Sequence, residues 1–366
     1  MSSKKALMIC TQARGGMRSV VEAYERDGVF GRWGFEFLWT HREGSAFLRV
    51  LTAAKAYLRL LSLLFRNQVS FMHVHAAMRG SFWRKSLFVA TARRFGIPSI
   101  IHLHGSEMKT FYNSLSSSRR LAVRRSLERA EAVIVLSESW REFVSQIAPA
   151  ARLVVINNYV SLPPQVPPAM AKKEFSVLFL GLLGHRKGIF DLLESWPSIL
   201  AAIPEARLRV GGNGEVDAAK AKAESLGISS SIEFLGWVDG VQKLDLLKQT
   251  DAFVLPSYNE GLPMSVLEAM SWGKPVVTTK VGGIPELVTD QVDGLLIEAG
   301  DQLALSSALI RLGSDFEFRT RIGLAGRKRI EDRFSDSAVL PLLESVYRQV
   351  LNQKAPLSSA VVRNEA

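Results

Sequence analysis

The sequence has one cysteine and no long uncharged apolar run, and each absence excludes a class of protein. Cys10 stands alone among 366 residues, so no internal disulfide can form, which favours a reducing compartment. The longest apolar stretch, residues 46–65, carries Arg49, Lys55 and Arg59 and is too charged to span a membrane. Because no secretory signal is apparent at the N-terminus either, we expect a cytoplasmic protein.

Several binding motifs are also missing. No Asp-x-Asp occurs, so a metal-bridged diphosphate is not indicated, and we predict no metal and no cofactor. The loop 11–17 lacks the Gly-Lys-Ser/Thr of a P-loop, which excludes that class of ATPase. The isoelectric point of about 9.8 would allow nucleic-acid binding. With no helix-turn-helix, zinc or aromatic-platform motif, however, we predict no nucleic-acid partner.

Positive charge is concentrated in the first part of the chain. Residues 1–150 hold 23 Lys and Arg against 10 Asp and Glu, whereas residues 151–366 hold 23 against 25. A basic half of this kind indicates an anionic partner such as a membrane surface or a phosphorylated molecule.

Short apolar runs alternate with amphipathic ones along the whole chain, which predicts an α/β protein with parallel sheets. The proline-rich stretch 161–168 reads as a linker between two such halves. We predict two Rossmann-like domains, over 1–160 and 170–336, and a further helix at about 337–352. Predicted strands cover 6–11, 35–39, 71–75, 99–104, 132–137, 153–157, 176–180, 207–210, 232–235, 252–255, 276–278 and 295–297. Predicted helices cover 18–26, 46–65, 82–95, 119–130, 138–147, 189–196, 265–270, 303–312, 317–331 and 337–351.

The stretch 255–270 carries the strongest functional pattern. An apolar strand ends at Leu255, a turn with Gly261 and Pro263 follows, and a helix begins with Pro263 in its first turn. Its free N–H groups, around Leu262, Pro263, Met264 and Ser265, form a site for a diphosphate. Glu260 before that site and Glu268 one turn inside can accept hydrogen bonds from sugar and ribose hydroxyls.

This stretch resembles the signature of family-4 retaining glycosyltransferases. Two glutamates, Glu260 and Glu268, stand with seven residues between them, and the Pro-Ser, Glu-Gly-Leu-Pro and Leu-Glu-Ala-Met pieces agree as well. The resemblance implies the GT-B fold, two Rossmann-like domains facing each other across a cleft that holds a nucleoside-diphosphate sugar. In that fold the domain over 1–160 binds the acceptor, the domain over 170–336 binds the nucleotide sugar, and the helix at about 337–352 crosses back to the first domain. Glu260 is then a catalytic and donor-binding residue, and Gly261, Leu262, Pro263, Met264 and Glu268 bind the donor.

Two glycine-rich turns complete the predicted donor site. The turn 181–188 resembles the family's diphosphate loop, with Lys187 at the Lys position and Leu182 where the family has Arg. Arg186 can supply the second positive charge, and a solvated basic turn is the alternative. The turn 211–214 brings Gly212 and Gly214 beside the nucleotide.

The N-terminal half adds a cleft loop with Gly15 and Gly16, for which a plain tight turn is the alternative, and a group of histidines. His104, before Gly105, matches the family histidine that reaches the donor sugar, so we predict a catalytic role beside Glu260 and Lys187. A core histidine bonded to backbone is the alternative. His73, His75 and His102 lie at the ends of two strands, 71–75 and 99–104. Their grouping raises the hypothesis of a zinc site. Because no Cys or nearby Asp completes a ligand set, we expect core histidines instead.

Charge and resemblance together give the expected acceptor, a polyprenyl-diphosphate-linked saccharide used for exopolysaccharide, capsule or lipopolysaccharide of a bacterial surface. The helix 46–65 has cations on one side and apolar residues on the other, which fits a protein lying peripherally on the inner, anionic membrane face. Packing of that apolar face on the sheet is the alternative. Two other functions stay open: a GT-B nucleotide-sugar epimerase, and a non-catalytic basic nucleic-acid- or membrane-binding protein.

Overall fold

The computed structural model describes residues 4–166 and 173–352. The chain divides into two compact units. One comprises Met1–Asn158 together with Val339–Ala366, and the other comprises Tyr159–Ala338. The predicted disordered tail after Asn352 and the end of the predicted linker lie outside the described residues.

The first unit is built on a six-stranded sheet in which every paired strand is parallel, with the order β2-β1-β3-β4-β5-β6. After β1 the chain forms β2 on one side of β1, and it then crosses back to form β3 on the other side. The switch point of this sheet therefore lies between β1 and β3, where ligands of open α/β sheets collect at the carboxyl ends. The strands are β1 (Lys5–Cys10), β2 (Phe35–Trp39), β3 (Val69–Ala76), β4 (Ser99–Leu103), β5 (Ala132–Val135) and β6 (Leu153–Val155).

Helices cover this sheet because its central strands are apolar and buried along their length, as a parallel sheet requires. Ser45 and Ser137 cap the first turns of the third and seventh helices with their hydroxyl groups. The helices are α1 (Gly16–Arg26), α2 (Val29–Trp33), α3 (Ala46–Phe65), α4 (Gly80–Arg94), α5 (Met108–Asn113), α6 (Ser117–Glu128) and α7 (Glu138–Ile147).

The second unit repeats the plan with the strand order β12-β11-β10-β7-β8-β9, again all parallel. Counted from its own first strand, this is the order 3-2-1-4-5-6 seen from the other edge, so its switch point lies between β7 and β10. The strands are β7 (Phe175–Leu180), β8 (Ala206–Gly211), β9 (Ile232–Gly236), β10 (Ala252–Leu255), β11 (Val276–Thr279) and β12 (Leu295–Ile297). The helices of this unit are α8 (Ile189–Ala202), α9 (Val216–Ser225), α10 (Gly240–Gln249), α11 (Met264–Ser271), α12 (Ile284–Leu287), α13 (Gln302–Ser314) and α14 (Phe316–Arg333). The last helix, α15 (Asp336–Asn352), belongs to the first unit from Val339 onwards.

Two helix predictions need correction. Pro263 is not in the first turn of α11 but precedes it in an extended conformation, with ψ 122°, so the helix starts at Met264. Helix α8 does not end at Trp196 but continues through Pro197 to Ala202, because Trp196 and Ile199 are both fully buried and hold the second half in place. Within the described residues, no helix is long and apolar enough to cross a membrane.

Candidate functional site

A buried ion pair lies where β7 and β10 end, at the switch point of the second unit. Lys187, in a single 3-10 turn after β7, donates through Nζ to Oε1 of Glu260 in the loop after β10. Ser257 donates to the same carboxylate oxygen at 2.7 Å, and Glu260 is only 5% exposed. These contacts fix the carboxylate against its own loop, so two predicted site residues from different loops meet.

The N-terminus of α11 follows directly after this pair. No side chain caps the helix, and its first turn contains no acidic residue. The predicted anion position lies at the amides after Leu262 and Pro263. The partial positive charge of the helix dipole there is not neutralised by an acidic side chain of the helix's first turn.

Glu268 has a partner that the sequence did not reveal. Its Oε1 accepts a hydrogen bond from Nζ of Lys243 on α10 at 2.7 Å. Both side chains are partly buried, with 19% and 24% of their side-chain surface exposed. Lys243 lies 25 residues before Glu268, and nothing in its own neighbourhood marks it as part of a site.

The glycine-rich turns after β7 and β8 are bonded to each other. Leu183 N donates to Asn213 O at 2.7 Å. A Cβ at Gly212, where φ is +150°, would lie 1.8 Å from the backbone oxygen of Gly181, so only glycine fits at this position. The two glycine-rich turns of the predicted donor site are thus in direct backbone contact, and the position of Gly212 and Gly214 beside a nucleotide stays a prediction.

Gly282 in the loop after β11 supports Glu260, and our sequence reasoning did not include it. Its φ is +57°, and a Cβ there would lie 1.8 Å from the backbone oxygen of Glu260. Gly283 N donates to Gly261 O at 2.8 Å, which joins the same two loops. The Gly-Gly pair after a predicted strand was the available signal for this contact.

The basic turn 181–188 offers one guanidinium and one ammonium. Arg186 Nη1 donates to Asn259 O at 3.3 Å, and Tyr258 N donates to Arg186 O at 2.9 Å. Leu182 is 55% exposed and supplies no charge at the position where the family has arginine. Arg186 is therefore placed on the Glu260 loop.

The predicted histidines gather in the first unit, where β3 and β4 are neighbours with His75 opposite His102. His75 Nδ1 and His104 Nε2 are 2.7 Å apart, and His73 Nε2 and His102 Nδ1 are 3.2 Å apart. Tyr347 of α15 extends the pair of His73 and His102, with its hydroxyl 2.7 Å from His73 Nδ1.

Burial keeps these rings neutral. It lowers the pKa of His73 to about 3, with the charge of His104 adding to the effect, and it lowers the pKa of His104 to about 3, with Lys85 adding to it. The pKa values of His75 and His102 are also held well below the usual range, first by burial. The four imidazoles consequently act as hydrogen-bonding groups rather than charges near neutral pH.

The sulfur of Met8 determines the proton positions in the pair of His75 and His104. It lies 3.1 Å from His75 Nε2, and a thioether only accepts. His75 therefore carries its proton on Nε2 and accepts through Nδ1 from the Nε2–H of His104. Neutral His104 is left with a lone pair on Nδ1, available to accept a hydrogen bond from a hydroxyl group.

The ring nitrogens of His73, His75 and His102 lie within 4.8 Å of one another, close enough to share a metal ion. The rings of His73 and His102 are nearly parallel, with 9° between their planes, and their facing nitrogens bond to each other. His102 Nε2 alone is buried without a hydrogen-bond partner. The cluster fits a hydrogen-bonded core, and the expected absence of a metal stays a prediction.

The loop 11–17 leads into α1, and Gly15 precedes the helix with φ +133°. Gly16 is the first helical residue, and no side chain caps this end. Thr11 Oγ1 holds the start of the loop through Ala13 N at 3.0 Å. The helix start is thus open beside the carboxyl end of β1.

Two family models cover most of the chain. Residues 7–159 match the glycosyl transferase 4-like domain, and residues 166–329 match the glycosyl transferases group 1.

Three curated relatives illustrate the range of similarity. An uncharacterized glycosyltransferase, MJ1607, of Methanocaldococcus jannaschii is 31% identical over 48% of this chain and 45% of its own length. The N-acetyl-alpha-D-glucosaminyl L-malate synthase of Bacillus anthracis is 26% identical over 78% of this chain and 76% of its own. The lipopolysaccharide core biosynthesis glycosyltransferase LpsE of Rhizobium meliloti is 29% identical over 58% and 62%. The matched segment thus spans less than two thirds of the first and third relatives.

Solved structures share the fold at low identity. A sucrose-phosphate synthase from Thermosynechococcus elongatus superposes with a TM-score of 0.79 at 18% identity, covering 96% of this chain and 100% of that one. HepE of Anabaena, solved in complex with UDP-glucose, gives 0.73 at 18%, covering 95% and 99%. At such identities the likeness establishes the fold.

Proposed function

Because this chain belongs to the glycosyltransferases of the GT-B fold, we propose that it moves a sugar from a nucleoside-diphosphate sugar to a polyprenyl-diphosphate-linked saccharide with retention of anomeric configuration. The observation that carries the proposal is in the second unit. An uncapped helix start lies between two carboxylates, Glu260 and Glu268, at the switch point of a doubly wound sheet.

The donor is assigned to these groups by their chemistry. The α11 amides, with Arg186 beside them, offer positive ends to the diphosphate. Glu260 accepts from hydroxyls of the transferred sugar, and Glu268 accepts from the ribose. Lys187, now paired with Glu260, lies where it can share its remaining N–H groups with a phosphate oxygen. The UDP-glucose complex of HepE supports a donor of this class.

The reaction proposed for this site needs no nucleophile from the protein. The acceptor hydroxyl attacks C1 of the sugar from the side of the leaving group, the bond from C1 to the phosphate oxygen breaks, and the hydroxyl proton passes to that phosphate. Lys187, Arg186 and the helix amides stabilise the charge that develops on the diphosphate, so the proposal is metal-independent. His104, with its Nδ1 lone pair, is assigned to a sugar hydroxyl.

The acceptor is assigned to the basic first unit. A groove of about 340 Å³ there is lined by the stacked rings of Phe37 and Trp39 and by Arg42, Lys55 and Arg59. Flat aromatic rings suit sugar faces, and the cations suit an anionic saccharide. The similarity to LpsE, a glycosyltransferase of lipopolysaccharide core biosynthesis, supports a cell-surface glycan as the product.

A thermal-shift panel of nucleoside diphosphates and their sugars tests the donor. A true ligand at a hundred times its dissociation constant should add about 2.7 kcal/mol of apparent stability. Nucleoside diphosphate should then be released from the donor sugar only when a lipid-linked acceptor is present. Turnover of the donor to an epimer without acceptor would instead establish the epimerase alternative, and no shift with any nucleotide would sink both.

A further inference from the structure

Lys243 carries an ammonium group to which the proposed reaction gives no role. It lies in the first turn of α10, and its Nζ donates to Oε1 of Glu268 on α11 at 2.7 Å. A positive charge in the first turn of a helix is opposed by the helix dipole, so the stability of α10 does not account for a lysine here. The explanation therefore lies with the carboxylate that this lysine holds.

The pair of Lys243 and Glu268 is better shielded from water than another ion pair of the same helix. Its two side chains are 24% and 19% exposed, whereas those of Lys248 and Asp245 are 45% and 51% exposed. Shielded pairs are screened less by salt and keep their geometry better than solvated ones. Within the part of the chain that the structure describes, Oε2 of Glu268 accepts no hydrogen bond. The lysine thus fixes the carboxylate through one oxygen and leaves the other oxygen for a further donor.

The pair lies close to the glycine-rich turn after β8. Gly212 N donates to Gly236 O at 2.6 Å, which joins this turn to the end of β9. The loop after β9 leads directly into α10, which begins at Gly240 and carries Lys243 to Glu268. Direct contacts therefore link the turn, the start of α10 and Glu268 in the part of the second unit to which the proposed function assigns the ribose.

We propose that Lys243 is a positioning residue through which the site selects donors with a ribose over donors with a 2′-deoxyribose. The two free hydroxyls of a ribose are neighbours on one side of the ring and can donate together to one carboxylate. Because Lys243 fixes the Glu268 carboxylate, this group cannot turn to compensate for a missing hydroxyl, and an acceptor position stays unpaired. The inference rests on the proposed function, since it concerns the ribose contact proposed for Glu268.

A lysine that only ties α10 to α11 predicts a different result. Its removal would loosen the site in general and weaken the binding of every nucleotide by the same factor. The ratio of the dissociation constants of two nucleotides that differ in one hydroxyl separates the two roles, because a general loosening cancels in that ratio.

Calorimetry on the full chain measures this ratio. The probes are the ribonucleoside diphosphate that gives the largest thermal shift and its 2′-deoxy form. The wild type should bind the deoxy form about 10- to 100-fold more weakly, as expected for one hydrogen bond to a charged group. In Lys243→Met the carboxylate is free to turn, so the ratio should fall below about threefold.

Two further variants control the measurement. Lys248→Met removes a lysine of the same helix that pairs with Asp245 instead, and it should keep the wild-type ratio. In Glu268→Gln, adding Lys243→Met should change the ratio no further, because the lysine acts through that carboxylate. With acceptor present, Lys243→Met should raise KM for the donor and leave kcat within about twofold of the wild type, since the ribose is remote from the bond that breaks.

Three results would overturn the inference. They are a wild-type ratio below about threefold, the same ratio in wild type and Lys243→Met, and loss of the ratio in Lys248→Met as well. Each of them leaves the proposed function standing, because each requires that a nucleoside diphosphate binds. Wild-type protein that binds neither probe would instead refute the proposed function, and the inference with it.

Discussion

Glu260 shows how a single carboxylate is fixed by residues that are distant in sequence. Lys187, 73 residues earlier, and Ser257, three residues earlier, both donate to its Oε1. Removing one partner of a buried ion pair typically costs about 3–5 kcal/mol, because the other charge remains buried and unpaired. Oε2 has no such partner within the described residues and can turn to a sugar hydroxyl.

A non-nucleophilic Glu260 predicts that no covalent sugar accumulates on the protein. Its carboxylate is held by Lys187 and Ser257, and the proposed attack comes from the acceptor. Intact mass after incubation with donor should equal that of a sample incubated without donor. A gain of one sugar residue, absent in Glu260→Gln, would refute the proposed reaction.

Glu268 should govern nucleotide affinity. Substituting Glu268→Gln removes a charged acceptor for the ribose hydroxyls, so the dissociation constant for the preferred nucleoside diphosphate should rise about 10- to 100-fold by calorimetry. Glu233→Gln is the control, since Glu233 pairs with Arg209 on a more exposed surface of the same unit. Equal affinities in both variants would remove Glu268 from the donor site.

Gly282 should tolerate no side chain, whereas another glycine of similar conformation should. Gly282→Ala places a Cβ against the Glu260 backbone, while Gly227, with φ +69°, has nothing within 4 Å of its Cβ position. Both alanines carry about 1–2 kcal/mol of left-handed strain. Only Gly282→Ala should also reduce kcat/KM, by more than about tenfold. Matched activity in the two variants would show that Gly282 does not position Glu260.

Helix α3 packs one face on the core and exposes aromatic side chains to the surface. Ala56, Leu60, Leu63 and Leu64 are buried against the sheet, as the alternative interpretation of this helix expected. Phe47 and Phe65, however, are 73% and 75% exposed. The helix therefore packs on the core and still presents aromatic side chains among its cations.

This surface predicts salt-dependent binding to anionic liposomes. Cations near an anionic surface contribute about 1 kcal/mol each, and salt screens them. Sedimentation with anionic vesicles should fall as salt rises, and it should fall more than tenfold in the double variant Phe47→Ser with Phe65→Ser. Leu303→Ser, which changes an exposed leucine of the second unit, is the control. Binding that ignores salt, or no binding, would contradict a peripheral membrane role.

Most of the helices to which the sequence gave no range are short. All twelve predicted strands and all ten helices with predicted ranges are present, with ends shifted by a few residues. Helices α9 and α10, of ten residues each, received no predicted range, and neither did α2, α5 and α12, of four to six residues. A single turn or two buries too few side chains to show a 3.6-residue period, so tertiary contacts decide whether it forms.

On the scale of the whole molecule, buried neutral histidines couple stability to pH. The folded pKa of His73 and that of His104 are about 3, while an unfolded histidine titrates near 6.5. Below about pH 6.5 these histidines bind protons in the unfolded chain but not in the folded chain. Stability is therefore fully present above pH 6.5 and should be lost as pH falls towards 3, with a slope of up to about 1.4 kcal/mol per pH unit for each such group.

Urea unfolding at pH 7 and pH 5 checks this dependence. The free energy of unfolding of His73→Gln should differ less between the two pH values than that of the wild type. The substitution removes one group that binds a proton only in the unfolded chain. His185→Gln, which changes an exposed histidine of the second unit, should leave the difference as it is. Identical pH dependence in all three proteins would mean that the histidine cluster is not the source.

The sequence by itself determined an α/β protein with parallel sheets, because strand periodicity and strand–helix alternation are local properties that repeat along the chain. The resemblance of the stretch 255–270 to a known family implied the GT-B fold, which the superposed structures confirm. The same resemblance, carried by residue types and spacing within single loops, named Glu260, Lys187, Glu268 and the glycine turns as candidate site residues. Only the tertiary structure decided the partners of these residues. Lys243 meets Glu268, and Gly282 supports Glu260. Such contacts depend on which strands become neighbours, and no local pattern encodes them.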